Sequence, residues 1–284
     1  MGISVNTNVA ATRAGMYLAT NHANLQKSLD RLSSGRRITE PADDAGGLAV
    51  SMKLEHTSKV LQGVSRNIAN ATSLLQVQDG ALKSVADIVS RIGELQGMYD
   101  DVTKNAADKL TYDAEFTALT AQLTDIAGNT TFNGINVFAG NTAAAAGDEV
   151  TVFLDETSTA AVSLDIADTD IDAAGGGGDL VALIAFASLN DIPDAGVAGN
   201  VADTLEEVAG HRATNGGQVR RLEYAQANVS SQITNFSAAN ARIMDVDIAT
   251  ESSNLARQQL LVQASAAMTA QANVANDVAL MLLR

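Results

Sequence analysis

VSMKLEHTSKVLQGVSRNIANATSLLQVQDGALKSVADIVSRIGELQGMY, residues 50–99, carries one pattern from end to end. Positions 50, 54, 57, 61, 64, 68, 71, 75, 78, 82, 85, 89, 92, 96 and 99 alternate steps of four and three. Twelve of these fifteen are apolar or Tyr, among them Leu61, Val64, Ile68, Leu75, Leu82 and Val85. A repeat of 3.5 residues held this long keeps one face of a helix turned toward a partner helix, which is the signature of left-handed coiled-coil packing.

Similar patterns lie on both sides. From Leu18 to Leu32 the seam reads Leu18, His22, Leu25, Leu29 and Leu32, closed by Gly35 as the residue that ends the helix. Pro41 with Glu40, Asp43 and Asp44 reads as the start of the next helix, where negative charge suits the positive dipole end. After a break near Asn105, Tyr112, Phe116, Leu119, Leu123 and Ile126 repeat the spacing. Toward the C-terminus it returns from 205 to 243, with Leu205, Leu222, Val229, Ile233 and Phe236 among its members, and again at Leu261, Ala264, Met268, Ala272, Ala275, Ala279 and Leu282.

The period changes between these blocks. Asn133-Gly134 is a hairpin-turn dipeptide, 151–154 and 161–166 read as strands, and Gly175 to Gly178 as loop. The fold class is therefore mainly α: long heptad helices from both chain ends packed as a coiled-coil rod, with a small β-hairpin and loop insertion in the middle. The outermost segments have thin, Ala- and Asn-rich seams, so they are expected to fold only when they assemble.

Charge follows the same division. The chain has 284 residues and a net charge of −15, yet between Leu110 and His211 there is no Lys or Arg against 17 Asp and Glu. An acidic middle of this kind suits a solvent-facing surface that repels its copies, while near-neutral ends can be buried. Nucleic acid binding, which needs clustered cations, is not expected. Neither is a membrane span, since the longest apolar run, Leu180 to Leu189, has ten residues. There is no cysteine and no HxxxH or HExxH spacing among His22, His56 and His211, so no metal, cofactor or catalytic set is expected. Asp168, Asp170 and Asp172 have the alternate spacing of a calcium loop, but Ala173 stands where its turn glycine belongs, and they read as a solvated acidic loop. Gly46-Gly47 follows two carboxylates that would repel phosphate and reads as a place of close helix packing.

Four stretches carry a family resemblance: SLDRLSSGRRITEPADDAGGLAVSMKL (28–54), TTFNGINVFAG (130–140), NARIMDVDIATESSNLARQQLL (240–261) and QANVANDVALMLLR (271–284). In this order they resemble bacterial flagellin over about residues 1–140 and 200–284. Asn276 stands where members of the family often have proline. The resemblance implies a non-enzymatic subunit of the flagellar filament, exported without a cleaved signal peptide. It implies terminal helices, 1–44 and 240–284, forming the inner filament core. A helical rod layer with a short hairpin would span 45–140 and 191–239, and 141–190 would be a short acidic surface segment. The implied partners are copies of itself, an export chaperone and export apparatus, and the filament cap and hook-junction proteins. The competing readings are a hook–filament junction protein of the same family and a membrane-interacting type III translocator. By resemblance, Arg91, Leu95 and Glu115, taken as an exposed set, match positions recognised by the innate-immune Toll-like receptor for flagellin; packing between subunits is the competing role. Here Gly93 and Gly97 replace larger residues.

Overall fold

A computed structural model describes residues 8–138, 149–153, 161–165, 179–192 and 199–281. The described elements are α1 (Val9–Ser34), α2 (Ala45–Tyr99), α3 (Ala106–Asn129), the hairpin β1–β2 (Thr131–Phe132 and Ile135–Asn136), the hairpin β3–β4 (Glu149–Phe153 and Ala161–Asp165), α4 (Asp179–Ala185), α5 (Val201–Met244) and α6 (Ile248–Met281). They divide into a terminal unit, Met1–Ser58 with Thr234–Arg284, and a middle unit, Lys59–Ile233.

The middle unit holds the densest core. Leu61, Val64, Ile68, Ala71, Leu75, Leu82, Val85, Val89 and Ile92 of α2 are all buried, as are Val208, Leu222 and Val229 of α5. This is the α2 seam expected from the 3.5-residue repeat. Three polar contacts fix its register against α5. The Gln226 amide donates to Ser65 Oγ (2.7 Å), the Asn215 amide to the Leu75 carbonyl (2.9 Å), and Arg212 Nε to Asp79 (2.9 Å). Residue numbers fall on one helix as they rise on the other, so the pair is antiparallel. At the early end of α2, Val50 is exposed, and buried Ser51 and Ser58 take the inward positions instead.

α3 starts on a reciprocal cap: Asn105 accepts from the Asp108 amide, and the Asp108 carboxylate accepts from the Asn105 amide. This satisfies donors that a helix start otherwise leaves bare. Phe116 and Leu123 face inward as expected, with Ala127 beside them. β1 and β2 are joined by Asn133 and Gly134, both at positive φ (53° and 79°), the turn that the dipeptide announces. Gln78 of α2, itself buried, donates to the Val137 carbonyl just after this hairpin.

The strand pair expected in the middle is present as β3–β4, antiparallel with Val152 opposite Val162. The Leu180–Leu189 run differs from a surface segment. It contains α4, and Leu180, Leu183 and Leu189 are buried beside α3, where the Leu189 amide donates to Asp113. Apolar residues spaced three apart were enough to make a short helix with an inner face. The residues read as a solvated acidic loop, 168–172, the glycine loop 175–178, and Leu154 and Ile166 of the expected strands lie outside the described residues.

Replacing Leu75 or Val85 by Ala leaves a cavity in a packed core and should lower unfolding free energy by about 2–5 kcal/mol for Leu75 and less for Val85. Leu29→Ala, at an exposed position, should stay within about 0.5 kcal/mol of the parent. Urea unfolding followed by circular dichroism distinguishes these outcomes.

Candidate assembly surfaces

α1 and α6 of the terminal unit lie against each other antiparallel. The Asn8 side-chain amide donates to the Ala272 carbonyl (2.8 Å), and the Asn21 amide reaches the Leu261 carbonyl and Ser265 Oγ (3.4 Å each). On α1 the residues withdrawn from solvent include Ala11, Ala14, Leu18, Asn21, Leu25, Ser28 and Leu32, an alternation of three and four. On α6 they include Glu251, Leu255, Gln258, Val262, Ser265, Thr269 and Ala272, the same alternation, which shares only Ala272 with the expected row.

This is one position away from the expected C-terminal seam, and the difference has consequences. Leu261 and Met268 were expected inside, but they are 41% and 63% exposed; Ala264 is exposed as well. On α1, Leu25 and Leu32 are inward, while Leu29 (42% exposed) and His22 point outward and Ser28 and Asn21 take their places. The reason is chemical. Asn, Ser and Gln in the seam can satisfy one another and the facing carbonyls, and small side chains let the helices approach. Searching for an unbroken apolar row missed them. The 251, 255, 258, 262, 265, 269, 272 spacing was legible only if polar residues were allowed to count. Leu282, and the side chains of Ala275 and Ala279, lie outside what is described.

The inside of the pair is therefore mixed: Leu18, Leu25, Leu32, Leu255 and Val262 share it with Asn21, Ser28, Gln258, Ser265 and Thr269. Apolar side chains also stand outside, Met16 and Tyr17 (67% exposed each) on α1 and Ile248, Leu260, Leu261, Met268 and Val274 on α6. Isolated exposed apolar residues are ordinary, but a helix pair with this many on its outer side keeps apolar surface to bury.

A second feature closes the α1 end. α1 stops at Gly35, whose φ of 68° is the left-handed conformation that glycine adopts cheaply. Pro41 does not start α2. It sits in a turn in which the Asp43 amide donates to the Glu40 carbonyl, and the fixed φ of proline suits that place. α2 begins at Ala45, capped by Asp44, whose carboxylate accepts from the Gly47 amide (2.8 Å). A Cβ at Gly47 would press on that same carboxylate and meet Ile38 Cδ1 at 3.1 Å, so the close approach expected at Gly46-Gly47 is real at Gly47. The segment is tied to the end of α5 by the Arg37 amide donating to the Met244 carbonyl, the Val246 amide to the Gly35 carbonyl, and the Arg37 guanidinium to the Ile243 carbonyl.

Asp43 is the hub of this corner. It pairs with Lys27 and Arg31 of α1 and accepts from the Thr39 amide, the Thr39 hydroxyl and the Glu40 amide. The Lys27 ammonium above all, then the two backbone amides, holds its carboxyl well below the usual carboxylate range, against the opposing effect of burial. Sequence reading took Asp43 only as a dipole partner.

In the middle unit, Arg91 bridges Glu115 of α3 (2.8 Å) and Glu94 one turn on (2.9 Å). Leu95 belongs to no exposed set: it is fully buried. Arg91 and Glu115 are half-buried and bonded to each other, and a Cβ at Gly93 would meet Val201 at 3.0 Å, so this glycine lets the start of α5 come close. Of the remaining expected seam residues, Leu222 and Val229 are buried and Ile233 and Phe236 half-buried. Leu205 is partly exposed, and fully buried Thr204 sits inward beside it. Among the described residues no group of three His, Asp or Glu is placed to hold a metal, and no helix is long and apolar enough to cross a membrane.

Known proteins share this layout. The model of the bacterial flagellin N-terminal helical region matches residues 5–143, and that of the C-terminal helical region matches 198–283. The chain belongs to the bacterial flagellin family. It is 34% identical to the flagellin of Bacillus subtilis (strain 168) over 302 aligned positions, covering 99% of each chain. It is 33% identical to the flagellar filament 33 kDa core protein of Treponema phagedenis, again over 99% of both. A crystal structure of Bacillus cereus flagellin is 27% identical, covers 62% of this chain and 94% of that one, with a TM-score of 0.45. Flagellins are structural subunits of the flagellar filament, and this chain is such a subunit.

The Asp43 hub sets a pH dependence. A carboxyl whose pKa is lower in the folded state contributes stability above its unfolded value, about 3.9, and loses it as pH falls toward the folded value. Asp43→Asn should therefore loosen the 35–44 corner at neutral pH, and the difference from the parent should shrink as pH drops below about 4. Amide exchange at Thr39 and Glu40, whose protons point at the Asp43 carboxylate, reports this directly; equal protection in parent and variant at pH 7 would contradict it.

Proposed function

We propose that this flagellin polymerises with copies of itself through the outward apolar residues of α1 and α6. The observation that carries the reading is the apolar surface the pair leaves outside its own seam: Met16, Tyr17, Leu260 and Met268 are turned out, while the seam mixes Leu25, Leu32 and Val262 with Asn21, Ser28 and Ser265. Each large apolar side chain taken out of water contributes roughly 1.5–3 kcal/mol, so a few of them meeting a neighbour offset the entropy lost when a subunit is immobilised in the polymer. The contact is heterologous and does not close on itself, which gives a helical polymer instead of a ring or dimer.

Within this reading, 1–44 and 240–284 form the inner filament core, 45–140 with 191–239 form the layer around it, and 141–190 contributes outer surface. The protein is extracellular, in the flagellar filament, and reaches it without a cleaved signal peptide. Its further partners are an export chaperone, the export apparatus, the filament cap and the hook-junction proteins. Family membership supports these assignments.

Leu260→Glu with Met268→Glu should leave α1 and α6 paired, because neither side chain is in their seam, and should abolish seeded polymerisation. Sedimentation of filaments from purified protein, with circular dichroism to show retained helix, measures it. Filaments formed at the parental yield would sink the proposal. Deleting residues 240–284 should likewise prevent polymerisation while the middle unit stays helical.

A further inference from the structure

Charge in the middle unit is graded along its length. Over residues 59–75 and 215–233 there are four cations, Lys59, Arg66, Arg220 and Arg221, against one carboxylate, Glu223. Over residues 76–214 there are five cations against 23 Asp and Glu. Part of the basic stretch gathers at one level of the α2–α5 pair. The hydrogen bond between Gln226 and Ser65 (2.7 Å) brings the turn carrying Arg66 level with the turn carrying Tyr224 and Arg221. Arg66 and Arg221 are exposed and, among the described residues, neither has an ion-pair partner. Arg220 pairs only with Glu223 on its own helix, both of them exposed. Tyr224 is 77% exposed, an aromatic ring left open to solvent among the described residues. Arg and Tyr together at an exposed level are the residue types enriched where protein surfaces meet.

The complementary level lies farther along the same pair. Beyond the Asp79–Arg212 bridge, Asp87 on α2 and Glu206 on α5 are both exposed carboxylates at nearly matching height. From Arg66 to Asp87 is 21 residues and from Tyr224 to Glu206 is 18. At 1.5 Å per residue both separations come to about 30 Å along the helix axes.

We infer that the basic belt of Arg66, Arg221 and Tyr224 docks on the acidic level of Asp87 and Glu206 of a second copy, so that neighbouring subunits are staggered by about 30 Å along their helices. The inference rests on the polymer reading above and adds the contact between middle units that fixes register. Opposite charges meeting across the stagger attract, whereas two copies side by side without it would place like charges together, which is costly and so selects one offset. A subunit carrying both belts has one free belt after every docking, and the contact propagates without closing.

The test is a charge exchange. Arg66→Glu with Arg221→Glu should raise the monomer concentration left in equilibrium with seeded filaments by roughly tenfold, because four like charges then face one another at the contact. Asp87→Lys with Glu206→Lys should do the same. A chain with all four changes should return to within about threefold of the parent, since the attraction is restored with its signs exchanged. All four positions are exposed, and circular dichroism of each monomer shows whether the helices are intact. A four-fold variant no better than the two double variants would overturn the pairing, as would a double variant that polymerises like the parent. If the parent itself yields no filaments, the polymer reading fails and the contact with it.

Discussion

The interior of the α1–α6 pair is where the rest of the structure begins. Two helices that shared a continuous apolar seam would complete each other and need nothing more. Here Asn21, Ser28, Gln258 and Ser265 share the seam with Leu18, Leu25, Leu32, Leu255 and Val262, so the apolar row is interrupted. Other apolar side chains, Met16, Tyr17, Leu260 and Met268, face solvent. In the proposed polymer these are the groups that gain most from contact with another copy.

The middle unit works by the opposite rule. Leu61 through Ile92 form an unbroken inner row, and the polar groups that do enter it, Gln78 and Asn215, donate to the carbonyls of Val137 and Leu75. Such bonds add little net stability but penalise any other register, because a shifted pair would leave the amides without acceptors. The result is a rod whose surface can be spent on charge. Arg66 and Arg221 at one level and Asp87 and Glu206 at another face water without weakening the core beneath them.

The long α2 seam, the Asn133-Gly134 turn, the break near Asn105 and the end of α1 at Gly35 were all legible in the sequence, because each follows from a local rule that tertiary packing did not override. The α6 seam was not. Leu261, Ala264 and Met268 form an apolar row by the same arithmetic as the true seam one residue away, and only the side facing α1 distinguishes them. Leu95 was grouped with Arg91 and Glu115 by resemblance alone, and that carries no information on which side of α2 it faces; it is fully buried. The network at Asp43 joins α1 to the loop after it, and no spacing rule announces a contact between Lys27 and Asp43 across a chain reversal.

The measurement that bears most directly on the outward apolar side of the α1–α6 pair is thiol accessibility. The chain has no cysteine, so Met268→Cys and, as an inward control, Thr269→Cys each place one reporter on α6. In the monomer Met268→Cys should react quickly with a maleimide and Thr269→Cys slowly. After seeded polymerisation Met268→Cys should become protected, because a neighbouring copy covers that face. A Met268→Cys thiol that reacts as fast in filaments as in monomer would contradict the account.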